Sequence, residues 1–252
     1  MAGDSGANPF APQLLAERIH VRLSGHTLQI ITKLANVELT PENPKYPGGS
    51  WHIEGMENEK IVATGIYYYA SENITESRLA FSPRSGLRAD DGGRGVIHQQ
   101  WDYKGYAAAF GLYIAEPLNQ EIGSIVTTED KCLVFPNIYQ HCVAPFGLAD
   151  PTKPGFRKIL CFFLVDPFTK IASTSDVPAQ QTEWFVNALE EAQALQRLPQ
   201  ELWDIIVGYA IEDMMSVEEA KKEREKLMKE RSNMVHDQST IVFETSFNMC
   251  EH

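Results

Sequence analysis

Residues 48–69, GGSWHIEGMENEKIVATGIYYY, constrain the fold more than any other stretch of the chain. Residues 61–69 are dense in β-branched and aromatic side chains, the composition of a buried strand. Just before them, His52 and Glu54 stand two residues apart. On extended backbone such residues leave the same face with Cα atoms about 6.6 Å apart. An imidazole and a carboxylate at that spacing can share one divalent metal while Ile53 points away. Pro41, Pro44, Pro47, Gly48 and Gly49 make the loop that leads into this stretch, and residues 55–60 read as a polar turn inside it.

Further β patterns surround it. From about Arg18 the segments IHVRL and HTLQIITKLANVELT combine β-branched residues with partial alternation. Residues 74–81, 121–127, 131–135, 141–146 and 157–165 are further strand candidates. Residues 82–94 and 149–155 read as loops, and residues 101–116 suit either a helix or a strand. After Pro178 the period changes. Residues 181–198 and 198–211 are amphipathic helices, and residues 216–234 form a third, opened by Ser216 with Glu219 in a capping-box pattern. Residues 240–249 look β-like and return to the sheet in this reading.

Many short strands without intervening helices imply a mainly β chain built as an antiparallel sandwich or barrel, best as a double-stranded β-helix (jelly roll). The expected division is a flexible leader over 1–15, the β core over 16–177 and a helical region over 178–252 that packs on the core.

Composition narrows the function. A formal net charge of −12 and the absence of a basic stripe argue against a nucleic-acid partner. The longest uninterrupted apolar run, residues 159–165, is too short to span a bilayer, so no membrane role is expected. Cys132, Cys142, Cys161 and Cys250 form no CxxC pair, and the amino terminus lacks the features of a signal peptide. A reduced, cytoplasmic protein is therefore expected.

Of the seven histidines, His141 lies late in the β region, in FPNIYQHCVAPF. Sixteen positions on, Arg157 opens the strand GFRKILCFFLV. Two histidines and one carboxylate on one face of a metal leave three positions open, which suits non-haem Fe(II) and O2 chemistry. A fixed guanidinium beyond the second histidine suits bidentate binding of a carboxylate. Arg157 and Lys158 must face opposite ways, and the Gly-x-Arg context favours Arg157 as the inward residue. Asn137 and Gln140 are candidates to order the site by hydrogen bonds. Trp51 reads as packing and His98 as a loop histidine. Residues 198–206 read as a helix packed on the core.

These motifs resemble the Fe(II)/2-oxoglutarate-dependent oxygenases of the double-stranded β-helix fold. More narrowly they are similar to a fungal family of uncharacterised proteins carrying PGGSWHxEGM, YYYxSENITESRL, DPTKPGxRKIL and SxEEAKxxRxxLMxER. The similarity runs from about residue 36 to 231. It implies His52, Glu54 and His141 as iron ligands and Arg157 as the partner of the far carboxylate of 2-oxoglutarate. By likeness to the CIYY-type strand of prolyl-hydroxylase-like members, it also implies Tyr68 as a co-substrate contact. Glu54 stands where most members have Asp. The implied activity is oxidation of a C–H bond in a small organic molecule, such as an amino acid or a secondary metabolite. Two other readings are a non-catalytic jelly-roll binding protein and a cupin-like metalloenzyme that uses no 2-oxoglutarate.

Overall fold

The computed structural model describes residues 21–83, 103–110, 113, 115–117, 119, 121–177, 180–192 and 197–244. The strands among them are β1 (Ile30–Leu39), β2 (Lys45–Tyr46), β3 (Ile61–Glu72), β4 (Arg78–Pro83), β5 (Gly123–Val126), β6 (Cys132–Pro136), β7 (Tyr139–Val143), β8 (Phe146–Gly147) and β9 (Gly155–Val165). Helix α1 (Tyr103–Phe110) precedes β5, and α2 (Thr182–Glu191), α3 (Gln200–Ala210) and α4 (Val217–Gln238) follow β9. All strand pairs are antiparallel. One sheet has the order β1-β9-β3-β6, a second the order β5-β4-β7, and β2 pairs with β8.

β9 lies between β1 and β3, with Arg157, Cys161, Phe163 and Val165 buried on one face and the even-numbered residues half-buried on the other. The core sits between the two larger sheets. Ile66 and Tyr68 of β3, Phe135 of β6 and Cys161 and Phe163 of β9 meet Leu79 and Phe81 of β4 there. Burial pushes the Cys161 thiol up to about 11, so it stays a neutral core group. Tyr67 and Tyr69 point away from Tyr68 on the opposite face, and the Tyr67 hydroxyl donates to Asp130.

Asn73 ties two distant segments together. Its backbone is left-handed, with φ 50°. Its Nδ2 donates to the carbonyls of Asp150, Lys153 and Pro154, and its Oδ1 accepts from the Asp150 N–H. The SENITESRL and DPTKPG segments are thus one structural unit. Gly155 is needed at its seam, because a Cβ there would stand 2.5 Å from the Asn73 carbonyl oxygen.

Several sequence expectations shift. The strand expected over 74–81 begins only at Arg78, because Asn73 turns the chain and Ile74 makes just an isolated bridge to Leu148. The strand expected over 141–146 is β7 followed by β8, so His141 sits within a strand and not at its start. Residues 103–110 settle as a helix. The helix expected over 181–198 ends at Glu191, while α3 and α4 fall where expected, with the Ser216–Glu219 capping box formed. The returning strand expected over 240–249 is not formed within residues 240–244. Ser239–Phe243 makes a π-helical turn, closed by the Glu244 N–H on the Ser239 carbonyl at 2.7 Å, with Phe243 buried. Local β propensity yields there to burial of one aromatic ring. The leader over 1–15, the loop residues 84–94, His98 and Cys250 lie outside the described residues.

Replacing Asn73 by Ala removes four hydrogen bonds and keeps the left-handed backbone. The expected loss is about 2–4 kcal/mol, read as a lower urea midpoint at unchanged slope.

Candidate metal centre and buried arginine

His52 does not lie on a regular strand, as expected, but in the loop between β2 and β3, where it makes one isolated bridge to His141. The His52 N–H donates to the His141 carbonyl at 3.2 Å and the His141 N–H returns to the His52 carbonyl at 2.9 Å. This pairing sets the two imidazoles on one face, with ring centroids 4.4 Å apart. Glu54 follows on a bend and brings its carboxylate between them. Its Oε1 stands 3.3 Å from His141 Nε2 and 3.7 Å from His52 Nε2. One donor atom from each residue lies within 4.8 Å of the other two. Ligand bonds of about 2.1 Å place cis donors about 3 Å apart, so a small inward movement closes this set on one ion.

The His52 tautomer favours ligation. His52 Nδ1 stands 2.7 Å from the Ser50 carbonyl, to which Nδ1–H donates, so Nε2 faces Glu54, donating to it when protonated and open to a metal when neutral. Asn137 pins the acid: its Oδ1 accepts the Glu54 N–H at 2.9 Å, and its Nδ2 donates to the Glu54 carbonyl at 2.8 Å and the Ile61 carbonyl at 3.2 Å. Phe135 packs edge-on against His141, with centroids 5.0 Å apart. Burial raises the Glu54 pKa, but hydrogen bonds to His141 and His52 outweigh it and hold the carboxyl well below its usual range. Burial lowers the His52 pKa, and the Glu54 and Ser50 contacts more than offset it, so the net direction is upward. The Glu54 carboxylate thus faces both Nε2 atoms, while His141 Nδ1 is buried without a partner.

Arg157 faces the interior and is 2% exposed, whereas Lys158 turns out over the Phe156 ring. The Arg157 guanidinium lies 4.7 Å from the Phe146 ring centroid and 5.4 Å from that of Tyr68. It donates from Nη1 to the Ser77 hydroxyl, while its Nε is buried without a partner. No carboxylate pairs with it among the described residues. Thr127 donates to the Ser77 carbonyl and hydroxyl, fixing that hydroxyl in place. Burial pushes the Tyr68 phenol up to about 12, against the opposing charge of Arg157. Burial lowers the Arg157 pKa, with Tyr68 acting in the opposite sense.

His52, Glu54 and His141 are therefore brought together, and Arg157 and Tyr68 meet deeper in the core. Asn137 orders the site, but Gln140 points away from it to Ser239. Ser77, Thr127 and Phe135 were not foreseen. A serine or threonine inside a strand-like segment carries no mark of the cation it will face.

Fold and site define a mainly β protein with a candidate two-histidine, one-carboxylate metal centre and a buried guanidinium. Residues 9–188 match the family described as "Protein of unknown function (DUF4246)", and the chain belongs to that family. No curated protein matches it. Among solved structures, a chain described as "Bacillus endospore appendages form a novel family of disulfide-linked pili" is similar at 10% identity. The match covers 59% of this chain and 100% of that one, with a TM-score of 0.20, too low for a shared fold to be read from it. Among the described residues, no helix is long and apolar enough to cross a membrane.

Calorimetric titration with Co(II) is expected to show one site per chain. Glu54→Ala should weaken it by at least about 100-fold, since ligand loss exceeds the 10–100-fold cost of losing a supporting residue. Equal affinity in parent and variant would leave the cluster as an ionic contact only.

Proposed function

We propose that this protein is a non-haem Fe(II)- and 2-oxoglutarate-dependent oxygenase that oxidises a C–H bond of a small organic substrate. The observation that carries the reading is the pairing of a His–Glu–His cluster with Arg157, a buried cation lacking a carboxylate. Holding an unpaired guanidinium away from water costs several kcal/mol, and an anionic ligand offsets that cost. Ser77, Tyr68 and the free Nε of Arg157 form a polar end for such an anion within an apolar core. A dicarboxylate suits both ends, one for the arginine and one for the metal.

The strand order supports a double-stranded β-helix. Its larger sheet would be β1-β9-β3-β6, and its smaller sheet β5-β4-β7 extended through the His52–His141 bridge.

Each residue then has a task. His52, Glu54 and His141 would hold Fe(II) and leave one face open. Asn137 keeps the Glu54 backbone in place, and Ser50 keeps the His52 tautomer. Arg157 orients the co-substrate by charge and by N–H donors. Tyr68 stays protonated at neutral pH and acts as a hydrogen-bond donor. Phe135, edge-on to His141, excludes water from the reacting end, and Phe146 covers the guanidinium at the other. Bound iron supplies the redox chemistry, coupling O2 reduction and decarboxylation of 2-oxoglutarate to succinate with oxidation of the substrate.

Protein reconstituted anaerobically with Fe(II) and then given 2-oxoglutarate and air is expected to form succinate, followed by NMR, even without a primary substrate. Arg157→Gln should raise the 2-oxoglutarate concentration required by at least about 100-fold while Co(II) affinity is kept. Metal binding with no effect of 2-oxoglutarate on the metal spectrum would overturn this reading in favour of a metalloenzyme that uses another co-substrate.

A further inference from the structure

The two ligand-bearing segments are both gripped from behind by one helix. Glu59 lies five residues after Glu54, in the 3-10 turn Glu57–Glu59. Its Oε2 accepts the Met56 N–H at 2.7 Å and closes the turn. The same oxygen would stand 3.1 Å from a Cβ on Gly55, the residue next to Glu54, so the carboxylate packs directly beneath the ligand's backbone. Gly55 has φ +79°, a conformation that suits glycine in so tight a turn. The other oxygen, Oε1, accepts from Nη2 of Arg231 on α4. That ion pair is half-buried, and Arg231 Nε has no partner, so the guanidinium is committed to Glu59.

The second contact is on the other arm. Gln140, 1% exposed, precedes His141 on β7 and points to the opposite face. Its Nε2 donates to the Ser239 hydroxyl at 3.2 Å, which donates on to Glu244 at 3.0 Å. Ser239 follows the last residue of α4. Arg231 and Ser239 are eight positions apart on nearly continuous helix, a rigid spacing of about 12 Å. One stiff element therefore touches the Glu54 turn at one point and the His141 strand at another.

We propose that the carboxyl-terminal half of α4 is a brace that sets the metal geometry, with Arg231 a positioning residue for Glu54 and Ser239 for His141. The inference rests on the metal-centre reading. The brace adds a support from across the fold to two chain segments that the His52–His141 bridge and Asn137 hold together, and fixes their donor spacing. Its loss lets the Glu54 turn relax while all three ligands remain.

The test compares Co(II) affinity and the visible d–d spectrum of the full chain with those of Arg231→Met, Glu59→Gln, Ser239→Ala and Arg231→Lys. The brace predicts about tenfold weaker Co(II) binding and an altered d–d band in Arg231→Met and Glu59→Gln. It predicts a smaller loss in Ser239→Ala and partial recovery in Arg231→Lys. The Arg231→Met/Glu59→Gln double variant should be no worse than the worse of the two single ones, because both act on the Arg231–Glu59 contact. Co(II) affinity and spectrum unchanged in all variants, with only the thermal midpoint of the metal-free protein lowered, would overturn the brace and leave the metal centre standing. Failure of the parent chain itself to bind Co(II) would overturn both.

Discussion

The site depends on one exchange of backbone hydrogen bonds, between His52 and His141. Two residues far apart in sequence become directly opposed, and the pleat then forces both imidazoles onto one face. The Glu54 carboxylate reaches them only because the chain bends immediately after the bridge. Without that pairing, the histidine of the β2–β3 loop and the histidine of β7 would be unrelated surface and core residues. The Gly49 N–H bond to the Val143 carbonyl extends the pairing by one step and secures the loop on the same strand.

A second constraint shapes the far end of the interior. Arg157 is on a central strand, so its charge cannot reach water by a rotamer change alone. Aromatic faces, the Ser77 hydroxyl and the polarity of Tyr68 soften the cost without cancelling it. The Asn73 knot matters here because it fixes where β9 starts. Gly155 packs against the Asn73 carbonyl, and Arg157 follows two residues later on the same face. The loop that looks like a mere connector thus sets the depth of the cation.

Much of this was legible in the sequence, and what was missed has a physical reason. The strands β1, β3, β6 and β9 announced themselves by β-branched and aromatic density, and α4 by its cap. That only one of Arg157 and Lys158 faces inward followed from the two-residue period of a strand, and the Gly-x-Arg context favoured Arg157. The expectation that His52 and Glu54 share a regular strand was wrong in detail, since the chain forms one bridge and then bends. Alternation alone does not register a bend held by a distant Asn137. Gln140 and Asn137 looked equivalent beside His141, yet they point to opposite sides. The Arg231–Glu59 pair was invisible, because a charged residue on a long polar helix reads as solvated whether or not a partner waits across the fold.

Under the proposed metal centre, the same bend suits a glutamate at position 54. Here the backbone turns away after the bridge, with Gly55 left-handed and the Glu59 carboxylate packed behind it. From there the glutamate side chain carries its carboxylate to the two histidines, 3.3 Å from His141 Nε2 and 3.7 Å from His52 Nε2. The length of that side chain also adds rotamer freedom that binding must freeze, at a cost of up to about 2 kcal/mol. Asn137, holding both the N–H and the carbonyl of Glu54, restricts that freedom before any ion arrives. Glu54 and Asn137 thus form one structural unit, in which the backbone of the acid is pinned on both sides.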